Sequence, residues 1–323
     1  MNKILLLILS YVTFTHHLLM TNISSASEWG LKHEAVEQAA GDCVILHYKG
    51  KQWEQVYDAS NIWLNGIYGF DDNNVFAVGK RGTVLHYDGK SWSVFYKSTH
   101  SLNRMWGRSP DNFYVVTDHG IILHYSNKGW QEQETHVYDF LSDIWGYSKN
   151  NNDYIFTVGA LGRIVQFDGE KWIKLNSGTT NWLYGVWGTD KDNVYAVGEY
   201  GTILHFNGKK WEKLPHLTNK RLTNIWGADA KNIFVIGADG CILHYDGKDW
   251  IRMTSPTKHW LRRIRGLDRN NVLVVGDHGT VIYYNGVNWR KIESNTNYVL
   301  MGIWANRKEN VYVIGYNEKT LFY

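Results

Sequence analysis

The residues of this chain that could do chemistry are its 14 histidines, its arginines and carboxylates, and its 16 tryptophans. Histidines that converge on one point ligate transition metals or move protons. An arginine cluster beside a tyrosine, its acidic partner and an aspartate could hydrolyse a glycosidic bond as a sialidase does. Tryptophan rings left exposed stack on sugar faces or anchor a protein partner. Position decides among these, and position here follows a period. His47, His86, His124, His205 and His244 each precede the Tyr or Phe of one short phrase, with Gln166 and Tyr283 in the two remaining places. Histidines spread at a fixed period do not meet at one ion, so a hydrogen-bonding role inside each repeat is expected of them.

The phrase is clearest from Leu183 to Trp211, and the Gly of its W-G step or its equivalent falls at Gly69, Gly107, Gly146, Gly188, Gly227, Gly266 and Ala305. Successive spacings are 38, 39, 42, 39, 39 and 39 residues. A period near 40 marks a repeat architecture, whose units bury their faces against their neighbours. Each unit reads as four strands. The first is L-x-x-I-W-G, the second is short and apolar (Val194 to Val197), a G-x-x-G turn leads into the third (Thr202 to Phe206), and the fourth carries the Trp of K-x-W. Asp88-Gly89, Asp168-Gly169, Asn207-Gly208, Asp246-Gly247 and Asn285-Gly286 link strands three and four and predict two-residue type I′ hairpins with positive φ at both central positions.

Seven such units predict an all-β fold, a seven-bladed β-propeller of four-stranded antiparallel blades. The first fragment, Val44 to Trp53, holds only strands three and four, while Val299 to Gly315 supplies strands one and two. Pairing the two ends would close the ring and remove two sheet edges. Thr320 to Tyr323 adds a possible third-strand stub.

The repeat also absorbs most of the aromatic residues. Trp53, Trp92, Trp130, Trp172, Trp211, Trp250 and Trp289 hold the fourth-strand slot. Trp106, Trp145, Trp187, Trp226 and Trp304 hold the first-strand slot, with Tyr68 and Arg265 as substitutes. Each ring could bury about 150–250 Å² between blades, so these twelve are expected in the core. Cys43 and Cys241 begin the same strand in units two blades apart, beyond the ~7 Å Cα separation that a disulfide spans. They are expected to stay unpaired.

Lysine and arginine total 34 against 31 acidic residues, a net charge of +3 without a basic stripe, which argues against nucleic acid as the partner. Residues 1–26 read as a signal peptide: Lys3, an apolar run from Ile4 to Phe14, and a small-residue cleavage site at Ser24-Ser25-Ala26. The run is short for a bilayer span, and His16 and His17 interrupt it. A secreted or periplasmic protein with no stable membrane span after cleavage is expected. A short linker, 27–40, would precede a propeller over 41–323. A monomer without cofactor or metal is the expectation for that domain.

Function in a repeat protein lies where copies differ on one face. Strand alternation puts the fourth-to-first connections and the second-to-third turns on the same face. Just before the repeated Leu stand Trp63, Ser101, Phe140, Trp182, Arg221, Trp260 and Val299. The turns add Arg81, His119, Tyr200 and His278, and the slot two before the Trp position adds Arg104, Asp143, Asn224 and Arg263 near the channel, with glycine in the other units. The candidate ligand-binding set is therefore Trp63, Phe140, Trp182, Trp260, Arg81, Arg104, His119, Asp143, Tyr200, Arg263 and His278. His100 with His119, and His259 with His278, could each begin a metal site, but a third ligand is not evident.

The W-G…N-V-Y-A-V-G…G-T-I-L-H-Y-D-G-K-x-W phrase resembles repeats of exported bacterial β-propellers, grouped loosely with Asp-box (BNR-like) and photosystem-assembly-factor-like propellers. The resemblance covers about residues 41–323. It departs from the Asp-box at Tyr245-Asp246-Gly247-Lys248-Asp249-Trp250, which has one residue fewer between Asp and Trp and His244 in place of the box's Ser. The resemblance implies the propeller and no particular activity; the variable face and the uniform unit lengths point to a non-enzymatic recognition or scaffold propeller binding a glycan or a cell-envelope protein. The alternatives are a sialidase-type glycoside hydrolase, drawing on Arg81, Arg104, Arg221, Arg262, Arg263, Asp143 and Tyr200, and a protein assembly factor. Uniform unit lengths leave no lid or catalytic insertion, and H-E-x-x-H, G-x-S-x-G, CxxC and P-loop motifs are absent.

Overall fold

A computed structural model of the chain describes residues 43–59 and 62–317. The signal peptide, the linker, Trp29 and the 320–323 stub lie outside the described residues. Seven four-stranded antiparallel sheets form a ring, a seven-bladed β-propeller. Blades I to VI occupy 64–97, 102–134, 141–175, 183–213, 222–252 and 261–292, each with its first strand innermost. Blade VII takes its two inner strands from Val299–Arg307 and Asn310–Tyr316 and its two outer strands from Cys43–Tyr48 and Trp53–Asp58. Cys43 pairs with Tyr316 and Tyr48 with Val311, so the chain ends close the ring as expected. Across this junction Asp72 of blade I accepts hydrogen bonds from Asn306 (2.5 Å), Arg307 (2.7 and 2.8 Å) and Asn310 (2.9 Å) of blade VII.

The W-G step joins one blade to the next. A Cβ built on Gly266 would lie 2.0 Å from a ring carbon of Trp226 in the preceding blade; on Gly227, 2.4 Å from Trp187; on Gly69, 2.5 Å from Trp304. Gly146 against Trp106 and Gly188 against Trp145 repeat the arrangement. The indole thus lies flat on bare backbone, where a methyl group would enter its van der Waals envelope. The two slots without tryptophan keep a hydrogen bond across the same joint. Ala305 follows the one blade whose first-strand slot is Arg265, and the Arg265 Nε donates to the Ala305 carbonyl (3.3 Å). Tyr68, the other substitute, donates its hydroxyl to the carbonyl of Gly107 (3.2 Å).

The repeated histidine stays inside its blade. His86, His124 and His205 stack on Phe76, Tyr114 and Tyr195 of the second strand (4.3, 4.1 and 4.4 Å between centroids) and meet Asn74, Asn112 and Asn193 at 3.2, 3.0 and 2.7 Å. His47 does the same with Tyr312 and Asn310 across the closing junction. His244 keeps only the stack, on Phe234.

The hairpin expectation needs correction. Tyr87 pairs with Trp92, which makes Asp88–Ser91 a four-residue loop, and only Gly89 takes positive φ (90°). The Asp88 carboxylate accepts the amide N–H groups of Lys90 and Ser91, both at 2.9 Å. Asp168, Asn207, Asp246 and Asn285 do likewise. The side chain supplies the turn, so its own backbone need not enter the left-handed region. Cys43 and Cys241 are both buried and unpaired. Among the described residues, no helix is long and apolar enough to cross a membrane.

Candidate binding face

The loop face is built by one contact repeated round the ring. The residue before the repeated Leu offers its carbonyl to the first amide of its own blade's second-to-third turn. Lys80 donates to Trp63 (2.7 Å), Ala160 to Phe140, Glu199 to Trp182 and Ala238 to Arg221 (each 2.9 Å), and Asp277 to Trp260 (3.0 Å). These bonds put both variable positions on one surface. In five of these turns the middle residue is held at φ 51–55° without being glycine: Arg81, Leu161, Tyr200, Asp239 and His278. That conformation costs an L-residue roughly 1–2 kcal/mol, and it lifts each side chain away from the disc. His119 stands in the corresponding turn of blade II without positive φ, and its Nδ1 meets the Asp118 carboxylate at 2.6 Å.

Across blades III to VI the half-buried residues of this face form one continuous stack. Phe140 meets Trp182 edge-on (5.6 Å), and Trp182 lies nearly parallel to Tyr184 (5.7 Å, 12°). The Arg221 guanidinium sits 5.3 Å from the centroids of both Tyr184 and Trp260. Arg262 covers Trp260 at 4.8 Å and grips Asp277 with two bonds of 2.7 and 2.9 Å. Glu199 ties the middle together: it accepts from the Tyr184 hydroxyl (3.1 Å), the Trp182 amide (3.4 Å) and Arg221 (3.4 Å). The Trp182 indole N–H donates to Ser142 (2.7 Å). Burial pushes the Tyr184 phenol well above its ordinary range, against the opposing charge of Arg221. Trp63 stands apart on blade I, against Tyr316 (4.3 Å).

Tyr184 was in no candidate set, and Arg262 stood only among the arginines of the glycosidase alternative. Their signal lies in the slot after the repeated Leu, which reads Asn65, Asn103, Ser142, Tyr184, Thr223, Arg262 and Met301. Blades IV and VI alone combine a large polar side chain there with a tryptophan two residues earlier.

At the axis, Arg104 donates to the backbone carbonyls of Asn65 and Asn103, and Arg263 repeats this with Thr223 (3.3 Å) and Arg262 (2.9 Å). Asp143, 8% exposed, accepts from the Val186 amide (3.2 Å) and, across blade IV, from Asn224 (3.3 Å). Asn224 in turn accepts from the Ile264 amide (3.2 Å). Gly185 permits this, since a Cβ there would lie 2.9 Å from the Asn224 Cα. Desolvation raises the Asp143 carboxyl to about 6, with Arg104 pulling it back, and lowers Arg104 to about 10.

These placements bear on each chemistry. A tyrosine–glutamate pair exists, Tyr184 with Glu199, as a sialidase would need. The arginines are otherwise engaged: Arg104 and Arg263 bond to backbone at the axis, and Arg221 and Arg262 lie against ring faces. The His259 and His278 rings come together (4.7 Å), with His259 Nδ1 at 2.9 Å from the Thr280 hydroxyl. His100 faces Glu132 at 3.3 Å. Among the described residues no group of three or more metal-ligating side chains forms.

No family model matches the sequence, and no curated protein matches it. The fold is similar to solved propellers at low identity. YCF48 bound to D1 peptide aligns with a TM-score of 0.63 and 14% identity over 86% of this chain and 94% of that one. YCF48 from Cyanidioschyzon merolae aligns at 0.64 and 17% over 83% and 99%. The WD40 β-propeller domain of Doa1 aligns at 0.66 and 13% over 86% and 97%.

Proposed function

We propose that this chain is a non-enzymatic propeller that binds a polypeptide through its loop face, as a scaffold or assembly factor working outside the cytoplasm after export. The observation that carries the reading is the Phe140–Trp182–Tyr184–Arg221–Trp260–Arg262 stack. Trp, Tyr and Arg are the side chains that dominate protein–protein hot spots. The faces of Trp260 and Trp182, which a sugar ring would need, are covered by guanidinium groups and neighbouring rings. A propeller of this fold occurs bound to a peptide, YCF48 with D1, which makes the reading physically reasonable at the level of architecture.

Site-specific photocrosslinking in the native host tests it. A benzophenone side chain at Trp63 or Arg221 should capture polypeptide, whereas one at Val287, in a hairpin on the other face, should not. Glycan-array binding that disappears in a folded Trp63/Trp182/Trp260→Ala triple variant would instead establish a lectin. Hydrolysis of a fluorogenic sialoside, lost in Tyr184→Phe, would establish the glycosidase that the Tyr184–Glu199 pair permits. Export is tested separately, by mass of the mature N-terminus: cleavage after Ala26 supports it, and a retained Met1 in the cytosolic fraction refutes it.

A further inference from the structure

The loop face is not uniform, and its most exposed apolar side chains gather in one sector. Seven large apolar residues of the described chain are exposed, and four of them are Tyr138 (86%), Leu161 (56%), Tyr200 (68%) and Leu217 (36%). Val94 and Ile251 lie on outer strands, and Val287 lies in a hairpin on the opposite face. The four follow one another around the ring: the II–III connection, the blade III turn, the blade IV turn and the IV–V connection.

Backbone packing sets the loops that carry them side by side. The blade II turn at Gly120 rests on Val137 and Tyr138, and the blade III turn bonds to Phe140 and rests on Thr179. The blade IV turn bonds to Trp182 and rests on Thr218, next to Leu217. The Phe140–Trp182–Tyr184 stack runs through the same sector. A soluble surface that keeps such a patch uncovered uses it for contact.

A second, independent observation comes from the backbone. Leu161 and Tyr200, bulky residues at the centre of the patch, are held at φ 54° and 51°. Asn or Gly would sit there without the strain. Strain retained at an exposed position, where packing gains nothing from it, is a mark of a functional site.

The charge of the sector states what the partner looks like. Its ions are matched within the chain: Arg163 with Asp139, Arg221 with Glu199, and Lys220 with Asp239. Among the described residues these loops therefore carry three cations and three carboxylates in pairs, with no net charge of their own to recruit a highly charged ligand or an anionic membrane. We infer that the blade III–IV sector docks a polypeptide segment through two or three apolar side chains, with little or no net charge on that segment. The inference rests on the protein-binding reading above and specifies where and by what chemistry it acts.

The test is selection of short random peptides displayed on phage against the full chain, followed by affinity measurement of the winners. The expected winners are aromatic or aliphatic and near-neutral. Their affinity should change less than about threefold between low and high salt, because screening acts only on charge pairs. Leu161→Asn and Tyr200→Asn together should weaken them by more than about tenfold, as loss of buried anchors does. The same variant should keep or raise the melting temperature, which separates lost binding from lost folding. Winners that are strongly charged and salt-sensitive, or that bind the double variant equally well, overturn the apolar sector and leave protein binding standing. Failure to select any peptide, with binding instead to vesicles of phosphatidylethanolamine and phosphatidylglycerol, overturns both.

Discussion

Gly266→Ala should destabilise this propeller far more than a single methyl group at a turn of sequence would suggest. The added Cβ would lie 2.0, 2.2 and 2.3 Å from three ring carbons of Trp226, where carbon atoms ordinarily rest about 3.5–4.0 Å apart. The indole would have to retreat by about 1.5 Å or more. It is confined, because Trp226 packs against the apolar clusters on both sides of blade V, one shared with blade IV and one with blade VI, and stacks near Phe234. Overpacking of this kind costs about 1–3 kcal/mol, and the depth of the overlap places Gly266→Ala at the upper end. For a domain of this size that is a fall of about 3–5 °C in Tm.

The assay is urea unfolding followed by fluorescence and far-ultraviolet circular dichroism, taken as one transition where the two probes coincide. The decisive quantity is a double-mutant cycle with Trp226→Phe, whose smaller ring leaves room for the methyl group. The pair should be less destabilised than the sum of its members by about 1–2 kcal/mol. A cost below about 0.5 kcal/mol for Gly266→Ala, or a cost unchanged in the Trp226→Phe background, would refute the claim that W-G is an inter-blade joint.

The natural exception makes a second prediction: Arg265→Trp should destabilise the wild type, and Ala305→Gly should recover much of the loss, read as Tm. Asp143→Asn should change the pH dependence of stability. A carboxyl raised to about 6 when folded contributes stability below its unfolded value near 3.8 and loses it as pH rises through 6. That is a decline of about 2–3 kcal/mol from pH 4 to pH 7, which unfolding of the asparagine variant at the two pH values should lack. Asp246→Ala should lower Tm at neutral pH, with the difference from wild type shrinking as pH falls through the ordinary carboxylate range, since the folded Asp246 carboxyl is held low by the Asp249 and Lys248 amides. Cys43, whose thiol burial raises to about 12, and Cys241, also raised by burial, should react with a disulfide reagent only after denaturation; fast reaction in native protein would contradict their placement.

The ring and its closure were legible because a period of 39 residues is a statement about architecture before it is one about any residue. Of the twelve slot tryptophans, Trp187, Trp211, Trp289 and Trp304 are buried and the other eight are half-buried against the apolar clusters rather than inside them. All could be sorted to these blade interfaces by slot. The glycine beside each could not, because what forbids its side chain is a ring one full repeat earlier. The hint was available in the exceptions: Ala305 is the only slot without glycine, and it follows Arg265, one of the two slots without tryptophan. The hairpins were misjudged for a local reason. Asp-Gly fits a type I′ turn and equally fits a loop in which the carboxylate caps two amides, and only the pairing of Tyr87 with Trp92 separates them. Phe140, Trp182 and Trp260 were found by slot, but their joining into one stack was not, because the contacts between blades span about forty residues and run through Tyr184 and Arg221, whose side-chain direction the slot alone does not give.

The two faces of the disc treat turn chemistry in opposite ways, and the contrast supports the loop face as the proposed binding face. On the hairpin face the chain chooses the residue that the backbone prefers: aspartate or asparagine to cap two amides, then glycine at positive φ. On the loop face it places Arg81, Leu161, Tyr200, Asp239 and His278 at positive φ, five side chains of different character at one geometrically equivalent position. Uniform stability would favour asparagine or glycine at all five. A repeat that is economical on one side and strained on the other, with the strained side chains also the most varied, has the pattern expected of a contact face. On the proposed reading, stabilising substitutions will be easiest to find where binding is easiest to lose.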